Sequence, residues 1–309
     1  MVPATAGRSL IKNMSIFAAL LLKRMLIART RKELDSFFGR AGRENRTLGL
    51  VPTMGALHQG HMSLVSCCNS ENDVTVVSVF VNPTQFNDPK DLEIYPRDLE
   101  KDITMLSGSG CDVVFAPDVE TIYPEPDNRV FNFGPLERVM EGKLRPGHFN
   151  GVAQVVSRLF ELVKPDRAYF GKKDIQQLAI IRKLTALTGL PVEIRGCDTL
   201  RENDGLAMSS RNMLLTGEQR KNAAIIYRTL REATLKKELG VDQLKTWIAD
   251  TINSNTLLKV EYVEIAGSSD LQPVTHWAGS EAELVICVAV RAGNIRLIDN
   301  VFFSNFVLL

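Results

Sequence analysis

Thr47-Leu-Gly-Leu-Val-Pro-Thr-Met-Gly-Ala-Leu-His-Gln-Gly-His61 carries an apolar stretch through a glycine-bearing turn and delivers two histidines, His58 and His61. Residues 48–51 read as a strand, and residues 61–69 as a helix with Leu64 and Val65 on its inner face. A strand that turns into a helix start presents backbone N–H groups to an anion, and the positive end of the helix dipole favours phosphate there. Imidazoles in the same turn can meet charge that develops on a phosphate during transfer. The pair makes up half of the four histidines in the chain. A purely local role stays open beside this one, with His58 in the cap region and His61 in the first helical turn.

Working outward, strands and helices alternate. Residues 74–81 form an apolar strand, 96–106 a helix of mixed charge, and 112–115 another strand. Residues 149–163 read as a long amphipathic helix: Val152, Val155, Val156, Leu159, Phe160 and Val163 keep helical spacing until Lys164-Pro165 stops it. A strand at 168–170 precedes a helix over 175–187 that ends at Gly189 and Pro191. Near-continuous apolar strands separated by helices predict a parallel sheet buried on both faces. The expected fold class is therefore α/β, a Rossmann-like doubly wound sheet over residues 25–199, with ligand-binding loops at the strand C-termini. Beyond about residue 200 the pattern changes to a charged helix over 217–239, a helix over 241–252, and strands at 260–266 and 283–292. The last strand turns at Gly293-Asn294 into 295–298, a hairpin signal. Residues 200–309 are expected to form a smaller α+β lid domain, joined by a linker near 198–204, and no internal repeat appears.

Three further segments follow the histidine turn in a fixed order: Val79-Phe-Val-Asn-Pro-Thr-Gln-Phe86, Phe170-Gly-Lys-Lys-Asp-Ile-Gln-Gln177 and Asp204-Gly-Leu-Ala-Met-Ser-Ser-Arg-Asn212. Shorter matches are Tyr95-Pro-Arg97, Arg145-Pro-Gly-His-Phe149 with Gly151-Val152, and Lys164-Pro-Asp-Arg167. Together these resemble the pantothenate synthetases, ligases that join pantoate to β-alanine at the expense of ATP, from about Met25 to the C-terminus. The resemblance implies an acyl-adenylate intermediate, ATP as substrate, Mg2+ with it, a homodimer and a cytoplasmic location.

Joining a carboxylate to an amine in water requires a leaving group on the carboxylate, and adenylation supplies one while adding charge at the α-phosphate. On the matching motif positions, the resemblance assigns catalysis to His58, His61, Lys173, Ser209, Ser210 and Arg211. It assigns ATP binding to the run Met54, Gly55, Ala56, Leu57, His58, Gln59, Gly60 and His61, and to Gly171, Lys172, Lys173 and Asp174. Leu200, Met208 and the Ser209-Ser210-Arg211 loop complete that set. From residue type alone, Lys172 and Lys173 could be solvated charges, Ser209-Ser210-Arg211 an ordinary helix start with a surface arginine, and Asp174 a cap or a ribose ligand. His148 reads as a structural or lid residue. Asn82, Gln85 and Gln177 match positions that hold pantoate's hydroxyls and carboxylate, and neutral amides suit that task by rejecting analogues without the hydroxyls. Phe80, Phe149 and Val152 are candidates to meet the gem-dimethyl group, or are plain core. For Mg2+, which keeps few protein ligands and several waters, Asp102 is the only candidate.

Composition limits the alternatives. With 37 basic and 36 acidic residues over 309 positions the chain has no field for gripping nucleic acid, so phosphate binding should be local. Cys67, Cys68, Cys111, Cys197 and Cys287 show no CxxC spacing and no adjacent ligand histidine, which points to a reduced protein without structural zinc. Residues 1–32 hold seven basic residues and no acid around the apolar run Ser15-Ile-Phe-Ala-Ala-Leu-Leu-Leu22, too short to span a bilayer. Residues 1–24 are accordingly set apart as an N-terminal extension: sequence upstream of a start at Met25, the first choice, or a presequence, or an extra helix. Another HxGH nucleotidyltransferase would lack the paired amide segments, a class I aminoacyl-tRNA synthetase fragment would need a basic RNA-binding region, and a catalytically silent relative would release no AMP or pyrophosphate.

Overall fold

The computed structural model describes residues 25–41, 45–86, 89–236 and 238–305, so the expected extension at 1–24 lies outside the described residues. Strands β1 (Leu26–Ala28), β2 (Leu48–Thr53), β3 (Val74–Val79), β4 (Val113–Phe115), β5 (Arg167–Gly171) and β6 (Glu193–Cys197) form one sheet in the order β1-β4-β3-β2-β5-β6. Every pairing in it is parallel. Side chains alternate between two apolar layers. Leu50, Val76 and Phe115 join one cluster, whereas Val51, Val77 and Val114 join another.

The helices divide accordingly. In the first region they are α1 (Arg31–Ala41), α2 (Gln59–Glu71), α3 (Pro89–Ile94), α4 (Leu99–Leu106), α5 (Val119–Ile122), α6 (Met140–Leu144), α7 (His148–Val163) and α8 (Ile175–Thr188). Leu64 and Val65 of α2 and Leu106 of α4 cover one face, while Leu34 of α1, Val152 and Phe160 of α7 and Leu178 of α8 cover the other. This is the doubly wound α/β sheet expected from the pattern.

The chain winds from β2 to β3 on one side, and β5 returns to pair on β2's other side, so the winding reverses between β2 and β5. Those two strands pair only at Gly49 with Arg167 and Leu50 with Ala168, then separate. Pro52 helps to explain why. The Thr53 carbonyl accepts from Phe80 N–H on the β3 side, so by alternation the nitrogen of Pro52 faces β5. Lacking an N–H, it cannot extend that ladder. The crevice at the switch point therefore opens where the proline stands.

The C-terminal region has α9 (Gly217–Ala223), α10 (Ile225–Ala233) and α11 (Val241–Asn253) against an antiparallel sheet of β7 (Leu258–Gly267), β8 (Glu283–Ala292) and β9 (Ile295–Ser304). Leu284, Ile286, Val288 and Val290 of the central strand pack with the helices, but Val285 and Cys287 belong to the same apolar cluster as Met140 and Ile175 of the first region. One face of the small sheet thus packs its own helices and the other packs against the first region, near α6 and the start of α8.

Some expected boundaries shift. The helix expected over 217–239 is two helices, broken at Ala224, where the Asn222 amide donates to the Glu218 carbonyl in competition with the backbone. It ends at Ala233 because the following Leu235 is 73% exposed and has nothing to pack on. Pro96 stands outside helix, and α4 starts three residues later behind Asp98, whose carboxylate accepts from Lys101 N–H. β1, α1 and β6 were not marked by the sequence pattern: β1 and β6 are the sheet's two edges, and β6 reads as a polar Glu-Ile-Arg-Gly-Cys with no apolar run. No helix among the described residues is long and apolar enough to cross a membrane.

Candidate active site

The histidine turn is built by a buried carboxylate. Gly55 and Ala56 adopt positive φ of 77° and 48°, a conformation that costs Ala56 energy. Asp102 of α4, only 2% exposed, compensates by accepting from Ala56 N–H at 3.0 Å and Leu57 N–H at 2.7 Å. A Cβ on Gly55 would stand 2.8 Å from that carboxylate. Asp102 is therefore not available as a Mg2+ ligand in the way expected; its two oxygens shape the turn. Among the described residues no cluster of three or more His, Cys, Asp or Glu side chains could hold a metal.

His58 caps α2 with Nδ1, which accepts from Gly60 N–H at 3.1 Å, and His61 Nδ1 accepts from His58 N–H at 3.3 Å. The local roles and the site roles of these histidines are thus compatible, because the two rings, with centroids 4.1 Å apart, both line a cavity. Burial first, with the Lys173 charge adding to it, lowers the His58 pKa to about 4. Burial, then the neighbouring His58 and Lys173, lowers His61 to about 3. Both rings are neutral near pH 7. Since each Nδ1 accepts, the tautomer carries its proton on Nε2, and the histidines act as neutral N–H donors rather than as cations.

The cavity, about 220 Å3 in volume, lies in the gap between β2 and β5. From the β2 side Met54, His58, Gly60 and His61 line it, and from the β5 side Gly171, Lys173, Asp174 and Gln177. Leu200, Met208, Ser209, Ser210 and Arg211 close it from the C-terminal side. Gln85, Phe80 and Val152 lie at its other end. A second cavity of about 1050 Å3 between α3, α6 and α8 of the first region and the small sheet shares Lys173, Asp174, Gln177, Ser209 and Arg211 with the first.

Several expected residues sit elsewhere. Gly55, Ala56 and Leu57 form the turn behind the cavity, and Gln59 is exposed outside it. Lys172 pairs with Asp198 at 2.6 Å and does not line it. Phe149 is core. Asn82 is 1% exposed and lines neither of these two cavities: its amide donates to Gln85 Oε1 at 3.2 Å and to the Gly151 carbonyl at 3.1 Å. It positions Gln85 rather than lining the pocket itself. That contact needs Gly151, because a Cβ there would collide with the Thr84 carbonyl. Ser209 caps the short turn Ser210–Leu214 by accepting from Arg211 N–H. Ser210 is buried and donates its hydroxyl to the Ala56 carbonyl at 3.0 Å, tying this loop to the histidine turn. Asp174 makes no side-chain cap; its carboxylate lies 3.6 Å from Lys173 Nζ.

Two positioning groups were not legible as such. His148, 7% exposed, holds the Gln85 carbonyl through Nδ1 at 2.8 Å, and burial, reinforced by Arg145, lowers its pKa to about 4, so it is a neutral donor. Asp102 is the other, which the sequence marked only as a Mg2+ candidate on a helix of mixed charge.

These features define an α/β protein whose switch-point crevice gathers N–H donors and one lysine beside a pair of amides over an apolar floor. The chain belongs to the pantoate-beta-alanine ligase family, whose model matches residues 26–302. A pantothenate synthetase of Porphyromonas gingivalis is 50% identical over 282 residues, covering 91% of this chain and 100% of the relative. The solved pantothenate synthetase of Thermus thermophilus superposes with a TM-score of 0.82 at 43% identity, covering 90% of this chain and 99% of its own. The pantoate-beta-alanine ligase of Francisella tularensis, solved in complex with beta-gamma ATP and β-alanine, gives a TM-score of 0.77 at 37% identity, covering 90% and 97%.

Proposed function

We propose that the chain condenses pantoate with β-alanine in two steps. A pantoate carboxylate oxygen attacks the α-phosphorus of ATP, expelling pyrophosphate and leaving pantoyl adenylate. The β-alanine amine, freed of its ammonium proton, then attacks the acyl carbon; the C–O bond to phosphate breaks, and pantothenate and AMP are released. The observation that carries this reading is that one crevice brings His58, His61, Lys173, Ser209 and Arg211 together with Gln85 and Gln177. Neutral imidazole Nε2–H groups donate to phosphate oxygens as their charge grows, and Lys173 supplies a positive charge where pyrophosphate departs. Gln85 and Gln177 hold the acid by hydrogen bonds without a charge that would fix it too firmly in the ground state. Phe80 and Val152 offer apolar surface for the gem-dimethyl group.

Mg2+ would arrive with the triphosphate and supply charge neutralisation, held chiefly by phosphate oxygens and water. Residues 25–199 would bind ATP and pantoate, and residues 200–309 would act as the lid. A homodimer and a cytoplasmic location complete the reading, supported by the family membership. Isotope exchange between pyrophosphate and ATP tests it: pantoate alone should support exchange without β-alanine, and its absence would rule out a free adenylate.

A further inference from the structure

β9 of the small sheet reaches into the GKKD turn. Asn300, 4% exposed, donates its side-chain amide to two successive backbone carbonyls, Lys172 O at 2.9 Å and Lys173 O at 2.8 Å. Both amide protons are spent on the segment that presents the cavity's lysine. The anchor is itself fixed. Asp299, the preceding residue, is 4% exposed and takes a two-point bond from Arg201 at 2.7 and 3.0 Å. Arg201 also donates to the Asn300 carbonyl at 3.2 Å and lies on the Tyr227 ring, with its guanidinium carbon 3.7 Å from the centroid. Arg201 in turn pairs as a bridge with Ala207, directly before the Met208–Arg211 loop. One rigid assembly thus holds both the turn carrying Lys173 and the loop carrying Ser209 and Arg211.

We propose that Asn300 is a positioning residue for Lys173, and that through Arg201 it fixes the distance between the two halves of the phosphate-binding set. The chemistry favours an amide at this position. Two adjacent carbonyls offer only acceptors, so the side chain between them must present two donors and no competing negative charge. A lysine on a four-carbon stem has wide rotamer freedom, and only a fixed backbone at its root restricts where its ammonium can go. The contact comes from the C-terminal region, so Lys173 is placed for chemistry only while the small sheet is docked. This proposal rests on the adenylation reading above for the role of Lys173, but not for the contact itself.

The test uses the full-length protein with Asn300→Ala and with Asn300→Asp, which keeps the shape and inverts the donor character. Single-turnover adenylate formation at saturating pantoate and ATP should fall about ten- to hundredfold in both, as small misplacements of reacting groups do. Asp should be no better than Ala, whereas a packing role would let the isosteric Asp keep near-normal rates and would overturn the proposal. In a Lys173→Ala background, Asn300→Ala should cause no further loss; a multiplicative loss would also overturn it. Hydrogen exchange of the backbone amides at 171–174 gives a readout free of substrate and should speed up in both variants. If the wild-type protein makes no adenylate, the functional reading fails while this exchange result still decides the contact. Should Ala and Asp variants be insoluble, Asn300→Ser, with one donor left, should give an intermediate rate and intermediate exchange, and wild-type values for both would refute the proposal.

Discussion

At the scale of single residues, the neutral state of the histidines separates this site from a cluster of cations. His61→Ala and Lys173→Ala should each lower single-turnover adenylation by roughly 10²-fold or more, the usual cost of removing a donor to a developing oxyanion. Gln85→Ala should instead weaken pantoate and β-alanine binding while ATP affinity persists. Its side chain is 9% exposed between Met54 and Asn82, at the apolar end of the crevice. Near-normal turnover in His61→Ala would reduce the turn to a helix cap. The pH dependence follows from the same burial. In the folded protein the rings take a proton only near pH 4 and 3, whereas in the unfolded chain they do so near 6.5. Between those values the unfolded state binds more protons, so stability rises with pH across that window and falls as acid is added. His61→Gln should therefore flatten the slope of unfolding free energy between pH 4.5 and 6 by up to about 1.4 kcal/mol per pH unit. Urea unfolding of both proteins at several pH values measures this, and parallel slopes would show that His61 is not the buried neutral group described.

At the scale of elements, the turn between β2 and α2 depends on α4. Asp102→Ala would leave the Ala56 and Leu57 amides buried without acceptors and should cost roughly 2–3 kcal/mol in chemical denaturation. It should also depress adenylation by loosening His58 and His61, even though Asp102 does not line the cavity they face; full activity with lost stability would confine it to a folding role. This dependence marks the limit of what the sequence conveys. The strand-turn-helix around His58, the apolar strands β2 and β3, the amphipathic α7 and the β8–β9 hairpin follow from local periodicity, because burial of one face leaves its period in the chain. Lys173, Gln85 and Arg211 were placed by motif. Asp102 was not placed correctly, since an acidic residue on a helix looks alike whether it holds a metal or two amides 46 and 45 residues away. Asn82 shows a related limit: a motif marks a position near substrate without saying whether its side chain faces the pocket or, as here, its neighbour Gln85. The helix expected over 217–239 failed because charge and helix propensity continue past Ala233 where the apolar face ends.

At the scale of the whole molecule, the docking of the small sheet combines apolar packing through Val285 and Cys287 with a buried ionic contact that no spacing in the sequence announces, its partners lying 155 residues apart. Glu141 of α6 accepts two bonds from Arg296 of β9 at 2.6 and 2.8 Å and one from the Tyr262 hydroxyl at 3.0 Å. Burial opposes ionisation of this carboxyl, but Arg296, Arg145 and Tyr262 outweigh it and hold the pKa below the usual value. The contact thus contributes stability above the ordinary Glu pKa and loses it as pH falls through the lowered one. The two partners are not equivalent. Arg296 has a second carboxylate, Glu261, at 2.6 Å, whereas the second cation beside Glu141, Arg145, stands farther off at 3.6 Å. Removing Arg296 leaves Glu141, 8% exposed, with only the Tyr262 hydroxyl and the longer Arg145 contact, while Glu261 keeps Arg291; removing Glu141 leaves the guanidinium paired with Glu261. Arg296→Ala should therefore cost about 3 kcal/mol and Glu141→Ala clearly less, because an uncompensated buried charge dominates such losses. The double variant should be less destabilised than the sum, by a coupling of about 1–3 kcal/mol. Urea unfolding of the four proteins at pH 7 completes the cycle. Equal single losses with additive behaviour would mean that the apolar face alone holds the small sheet in place, and with it Asn300 against the turn that carries Lys173.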